Sequence, residues 1–376
     1  MSLFKDIYDS VIPSTSKTIF KIPNNQSDSS YFPEYLNDLL NEYRTFYNCH
    51  LKSKIDDVIK FEESEPNLLY NKIDTLTNAL IKTVECYYQG KVSEASINLF
   101  ETLDKLVFDE HLGLTNKINL NKTFYRARSD NGQHFSRKDL FHIDFKLRNL
   151  VSTNRFSIPG FPALYLGDTT YVCWEEFNRH RLRNLWFTKI KNEKDLNVLQ
   201  IERIEDFISE LDTLSDYSLK VTTLLRYLII FPLTLACTIK VNNTKGNFKP
   251  EYIIPQLLSE YISKNEKIDG IKFPSTKVDY SKLDGVQAYN YVFPVKTVSN
   301  EGYCNNLKSI FHLTEPTSLE LEEIIHNPTS YAGAIGKVTP SSNDKIELIT
   351  GQKVFYSNTS FGKIEKSFVG KIFNSI

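Results

Sequence analysis

Apolar residues return at three- and four-residue steps through the first third of the chain. Ile73, Leu76, Leu80, Val84 and Tyr87 form one such stripe, which predicts an amphipathic helix ending at Gly90. Ser93 then reads as the cap of a second helix, with the stripe Ser96, Leu99, Leu103 and Leu106. The chain is expected to be helical to about residue 120, with the polar run 24–30 as a loop. No repeat of solenoid length is present.

The pattern changes at Thr123. Phe124-Tyr125-Arg126-Ala127-Arg128 has strand composition, and the polar run 129–133 leaves it as a loop. Pro159, Gly160 and Pro162 mark a tight turn before a short apolar strand ending in Tyr165. A Gly167-Asp168-Thr169 corner follows, then a helical run carrying Glu175 and Glu176. Residues 185–190, 198–201 and 289–295 read as strands, and 269–275 as a turn entering another. Residues 218–237 predict a long buried helix with Pro232 as its kink or break, and 252–263 a further helix. Beyond residue 315, Leu319–Ile325 reads as helix and 345–349 and 353–356 as strands. The pieces FGKI, from Phe361, and VGKIF, from Val369, echo each other too briefly to define a repeat. The expected fold class is α+β, in three segments: a helical domain 1–121, a mixed domain 122–315 and an extension 316–376.

Composition narrows the function classes. Lys+Arg 45 against Asp+Glu 46 leaves a net charge of -1, so no bulk basic footprint for nucleic acid exists. The five cysteines are scattered without a C-x-x-C pair, which argues against a zinc site or a disulfide framework. The N-terminal residues lack an apolar leader segment, and the apolar stretch 224–241 is interrupted by Arg226 and Pro232. No membrane association is expected, and a cytoplasmic location is. Glu176 and His180 are four apart but lack a third ligand, so no metal is expected. The basic run 179–183 could touch phosphate but is better read as a solvated helix end. The nearby pair Arg44 and His50 on a predicted helix has a spacing that arises easily by chance. Neither a Walker A loop nor a Rossmann glycine fingerprint occurs.

Several residue types fit the gripping of a small anionic ligand that has a flat cationic ring. Arg126 and Arg155 lie where strands meet loops, and a guanidinium fork suits phosphate, although a surface ion pair is the commoner role. Tyr165 offers an aromatic face to a pyridinium, an attraction of roughly 0.5–2 kcal/mol, unless it is a core tyrosine. Glu175 and Glu176 point about 100° apart on a helix, so only one can face a pocket and the other is better read as part of a solvated face; periodicity does not choose which. Ser275 could hold a ribose or phosphate, and no G-x-S-x-G elbow surrounds it. Gln256 is a lesser polar candidate.

These pieces in this order resemble the RES-domain family, named for its characteristic Arg, Glu and Ser. The matching segments are FYRAR (124–128), NRFSIPGFPALYLGDTTYVCWEEF (154–177), YIIPQLLSEYI (252–262), DGIKFPS (269–275) and YNYVFP (289–294). The resemblance covers about residues 122–295 and implies an ADP-ribosyltransferase-like fold that destroys NAD, usually as a toxin. It matches Arg126, Glu176 and Ser275 to the catalytic set, with Glu175 as the fallback carboxylate. Arg155, Tyr165, Tyr125 and Gln256 become the substrate-binding candidates. NAD is then a substrate and no cofactor is required; inorganic phosphate is a candidate second substrate, and an antitoxin and a homo-oligomer are compatible partners. The helical front, the insertion between Glu176 and Gln256 and the C-terminal tail depart from compact members. Two alternatives keep the same pocket: ADP-ribose transfer to a macromolecule, and a non-catalytic nucleotide-binding sensor.

Overall fold

The computed structural model describes residues 18–26, 31–55, 68–107, 114–130, 132–325 and 343–376. In chain order, α1 (Phe32–His50), α2 (Leu68–Tyr88) and α3 (Val92–Val107) lead into β1 (Thr115–Ile118), β2 (Thr123–Ser129) and β3 (Ala163–Gly167). Then come α4 (Thr170–Glu176), β4 (Leu185–Asn192), β5 (Leu196–Gln200), α5 (Ile204–Thr213), α6 (Tyr217–Thr238) and α7 (Ile253–Lys264). β6 (Gly270–Pro274), β7 (Leu283–Asp284), β8 (Tyr289–Pro294), α8 (Asn305–Ile310), β9 (Phe311–Leu313) and β10 (Thr317–Ser318) follow. The chain closes with α9 (Leu319–Ile325), β11 (Lys345–Ile349), β12 (Gln352–Phe355) and α10 (Ser360–Ser367).

Contacts divide these elements into two units that cut across the three expected segments. One holds the described residues up to Asn116 together with 154–156 and 199–265; the other holds 117–153, 157–198 and the described residues from 266 on. The insertion after Glu176 thus supplies helices to the first unit, and the C-terminal tail belongs to the second.

In the helical unit, α2 packs against α1, α3, α6 and α7 through the expected stripe, with Ile73, Leu76, Leu80 and Val84 buried. Gly90 takes φ +76 and Lys91 N–H closes back on the Cys86 carbonyl at 2.9 Å, which ends α2. α3 starts at Val92, so Ser93 lies inside the first turn instead of capping it, and Ala95 takes the buried place expected of Ser96. α6 is long and apolar enough to cross a membrane, with a mean hydropathy of 1.6 over an 18-residue stretch, but 83% of that stretch is buried inside the protein. Pro232 sits within α6 and has no N–H for the carbonyl of Leu228, four residues back. The Tyr43 hydroxyl donates to that carbonyl at 2.7 Å, so the proline leaves no orphan acceptor there.

In the sheet unit, strands run in the order β1-β5-β6-β8-β3-β2-β4-β10, with β9 also on β4. Alternation sorts their side chains. Phe124, Leu164, Leu166, Tyr291 and Phe293 build a core with Phe141, Phe145, Leu307 and Phe311 on one face. Tyr125, Ala127, Leu185 and Phe187 on the other face pack with Cys173 of α4, Ile364 of α10 and Phe368 at the end of α10. A second sheet, β12-β11-β7, carries a hairpin turning at Gly351 with φ +80. The fold is α+β, with a helical N-terminal region and a mixed sheet after it. β3 runs two residues past Tyr165, and FGKI lies in α10 while VGKIF lies beyond it, so their echo is not structural. Of the loop expected at 24–30, residues 27–30 lie outside the described residues.

Candidate active site

The corner after β3 launches a short, firmly seated helix. Thr169 caps α4, its Oγ1 accepting from Val172 N–H at 3.2 Å. Glu365 of α10 adds a half-buried acceptor: its Oε1 takes Thr170 N–H at 2.8 Å, the Thr170 hydroxyl at 3.0 Å and the Tyr356 hydroxyl at 2.7 Å. Burial raises the Glu365 carboxyl above its usual range, against these hydrogen bonds. Tyr171, Val172 and Cys173 turn into the core, which leaves the two glutamates at the far end of α4. Asn178 and Arg179 then take φ 52 and 57, so two successive non-glycine residues in the left-handed region turn the chain just after Glu176.

The two carboxylates part company at this helix end. Glu176 Oε1 accepts from the Ser275 hydroxyl at 2.7 Å and from Asn290 Nδ2–H at 2.6 Å. Ser275 is fully buried just past β6, and its Oγ accepts from Lys277 N–H at 3.2 Å, leaving the hydroxyl proton for Glu176. Asn290 stands on β8, paired with Gly167 of β3 and Phe273 of β6. Lys277 Nζ lies 3.5 Å from Oε2 and also donates to the Glu176 carbonyl. A cation there offsets the unfavourable placement of a carboxylate at a helix C-terminus. Glu176 keeps its side chain 35% exposed, with Oε2 outside the Ser275–Asn290 clamp. Glu175 is 3% exposed and its Oε2 accepts from Arg179 Nε–H at 3.0 Å.

Arg126 reaches the same neighbourhood from β2. β2 pairs with β3 only at Tyr125 and Gly167, so the strands part beyond that point. In the gap, Arg126 Nη1–H donates to the Tyr165 carbonyl at 2.8 Å. Its Nε is buried and has no hydrogen-bond partner among the described residues. Burial pushes the guanidinium down to about 10, which leaves it charged at neutral pH. Along β3, Tyr165 stands two residues from Gly167, about 7 Å, and Gly167 is the pairing partner of the Asn290 that holds Glu176. The buried Cys173 thiol is raised by burial, lowered by Arg126 and raised again by Glu365 and Glu176, so it senses both halves of the site. The Tyr165 hydroxyl shares a hydrogen bond with Ser157 Oγ at 2.8 Å, which fixes the ring.

Arg126, Tyr165, Glu176 and Ser275 thus lie together in the sheet unit. Tyr125 leaves β2 on the side opposite Arg126 and packs in the core, its ring 6.2 Å from Phe368. Arg155 and Gln256 belong to the helical unit. There Arg155 is buried, its Nη1 and Nη2 donating to the carbonyls of Cys237 at 3.0 Å and Ile239 at 2.8 Å, with the Tyr252 ring 5.2 Å away. Gln256 Nε2–H donates to the Asn154 carbonyl at 3.2 Å. Both side chains pin the 154–156 segment, a use the sequence reading did not foresee. That reading also missed Asn290, Lys277 and Glu365. Asn290 carried a signal, being the amide inside the otherwise apolar and aromatic run YNYVFP. Of the weaker candidates, Arg44 bonds Asp74 and Asn78, while the His50 ring lies 5.3 Å from Phe46. Arg183 pairs with Glu323 at 2.6 Å.

Comparison with known proteins places these residues in context. The RES domain family matches residues 123–293. The chain is 32% identical over 311 residues to a Bacillus subtilis (strain 168) protein named "Putative toxin YopC", covering 78% of this chain and 68% of that protein. No solved structure matches the chain.

Proposed function

The chain belongs to the RES-domain family, and on that premise we propose that it cleaves the nicotinamide–ribose bond of NAD and acts as a toxin-like effector. The observation that carries the reading is the state of Glu176. One carboxylate oxygen is held by two donors, and the other lies outside their clamp on a partly exposed side chain.

Such a group suits a reaction that builds positive charge on a sugar. When the C1′–N bond breaks, its electron pair leaves with nicotinamide, which departs neutral and needs no proton. The ribose becomes oxocarbenium-like, and a fixed carboxylate stabilises that charge without reorganising during the reaction. Ser275 and Asn290 act through Glu176 as positioning residues. The Arg126 guanidinium, whose buried Nε has no partner among the described residues, supplies charge-assisted donors for the pyrophosphate. The Tyr165 ring offers its face to the nicotinamide cation. Water then forms the new C1′–O bond and releases its proton to solvent, or inorganic phosphate forms it and yields a sugar phosphate.

The test is incubation of the purified full chain with NAD, with and without phosphate, followed by identification of the ribose product. Nicotinamide should be released, and Glu176→Gln should lower kcat on the order of 10²–10³-fold, the size expected for removing a preorganised electrostatic group. Turnover near wild type in a folded Glu176→Gln variant would overturn the assignment, as would a wild-type chain that leaves NAD intact.

A further inference from the structure

A second candidate site lies in the helical unit and does not rest on the reading above. Three rings line a cleft of about 230 Å³, and Tyr88 stands steeply to the other two. Tyr31 and Tyr88 meet edge to face, centroids 5.3 Å apart at 87°, and Tyr88 meets Phe248 at 5.9 Å and 68°. Beside them lies Glu251, only 2% exposed, whose Oε1 accepts from Asn242 N–H at 2.8 Å. Its Oε2 is buried and has no hydrogen-bond partner among the described residues. A buried carboxylate oxygen left unpaired is costly, and a cation is the partner that relieves it best.

The lining carries one sign of charge. Among the described residues, no Lys, Arg or His lines this cleft, and its other polar walls include the amides Asn242 and Asn243. Tyr31 and Tyr88 also wall a second cleft of about 440 Å³, which contains Glu34 and Glu85 and, among the described residues, again no basic side chain. Burial, then Tyr31 and Glu251, raise the Tyr88 hydroxyl to about 12, so the ring is neutral and its face electron-rich. Aromatic faces at steep angles beside a carboxylate recognise ammonium groups by cation–π attraction together with ion pairing.

We propose that the Tyr31–Tyr88–Phe248 cleft above Glu251 binds an organic cation of the alkylammonium class. The free amine and the lysine side chain share this chemistry, and the probes below separate them.

Calorimetric titration of the full chain with choline, with its neutral carbon isostere dimethylbutanol and with Nα-acetyl-lysine amide tests the site. Choline should bind with saturation at millimolar concentration or below, and dimethylbutanol should not. Tighter binding of the lysine amide than of choline assigns a protein side chain as the natural ligand; the reverse order assigns a free amine. Glu251→Gln should weaken binding at least tenfold. Because Glu251 is buried and its substitution puts folding at risk, Tyr31→Ala, at a half-exposed position, serves as the second probe and should weaken binding severalfold. Equal binding of choline and dimethylbutanol, or cation binding unchanged in the folded variants, overturns the proposal.

Discussion

Arg126 and Arg155 invite comparison, since each comes from a motif that suggests a phosphate clamp and each donates to backbone carbonyls. In the helical unit, Arg155 has two nitrogens committed to Cys237 and Ile239, where α6 ends, and lies over the Tyr252 ring. In the sheet unit, Arg126 makes one bond, to Tyr165, and keeps a buried Nε unpartnered among the described residues. The first guanidinium completes a helix terminus, which needs acceptors satisfied and charge balanced. The second sits where two strands part and retains a charged donor. Residue type and motif position cannot separate these uses; what each side chain leaves unsatisfied can.

The sharpest way to break this comparison is to remove the guanidinium groups one at a time. Arg126→Ala should lower kcat/KM for NAD cleavage on the order of 10³-fold, while thermal unfolding shifts by only a few degrees. Retention of activity would place the phosphate-binding charge elsewhere. Arg155→Ala should do the opposite. Two buried carbonyls lose their donors, so stability should fall by about 3–4 kcal/mol in urea unfolding. Activity per folded molecule should stay within a few-fold of wild type.

A pH experiment sharpens the contrast inside the sheet unit. His142 is buried, its Nε2 accepts from Cys304 N–H at 2.9 Å, and its Nδ1 therefore donates to the Ile143 carbonyl at 2.7 Å. Burial, with a contribution from the Arg126 charge, pushes it down to about 4. A histidine whose folded value lies below its unfolded 6.5 gives stability that is complete above 6.5 and lost as pH falls towards 4. The gap corresponds to about 3 kcal/mol. Urea unfolding between pH 7 and 4 should show this loss, and His142→Gln should flatten it. Since Arg126 depresses His142, the loss should shrink in Arg126→Ala.

Much of this was legible in the sequence, for reasons that differ by element. The α2 stripe and the buried α6 were readable because long periodic runs report burial directly. Short pieces such as β7, β9 and β10 were not, since two or three residues cannot display a period. The Arg126, Tyr165, Glu176 and Ser275 set came from ordered motifs, and the structure brings those four together in one unit. Arg155 and Gln256 belong to the helical unit because segment 154–156, although contiguous with the site-bearing stretch, is part of it. Glu365 was invisible because its value lies in a contact with Thr170, 195 residues away.

The smallest expected effect concerns the carboxylate next to Glu176. Sequence could not rank Glu175 against Glu176, because adjacent helical positions differ by about 100° and either could face a pocket. In the structure Glu175 is buried against Arg179, whose side chain is 54% exposed, and it helps raise the Tyr171 hydroxyl after burial itself. Its charge therefore acts on the left-handed turn that ends α4. Glu175→Gln keeps an acceptor for Arg179 and removes only the charge from a pair whose arginine end is solvated. NAD cleavage should stay within about threefold of wild type, and stability should fall by about 1 kcal/mol or less. If Glu175→Gln instead matches Glu176→Gln in lost kcat while remaining folded, the reacting carboxylate is the buried one. The Ser275–Asn290 clamp would then be a structural fastening, and Arg126 would have to be reassigned with it.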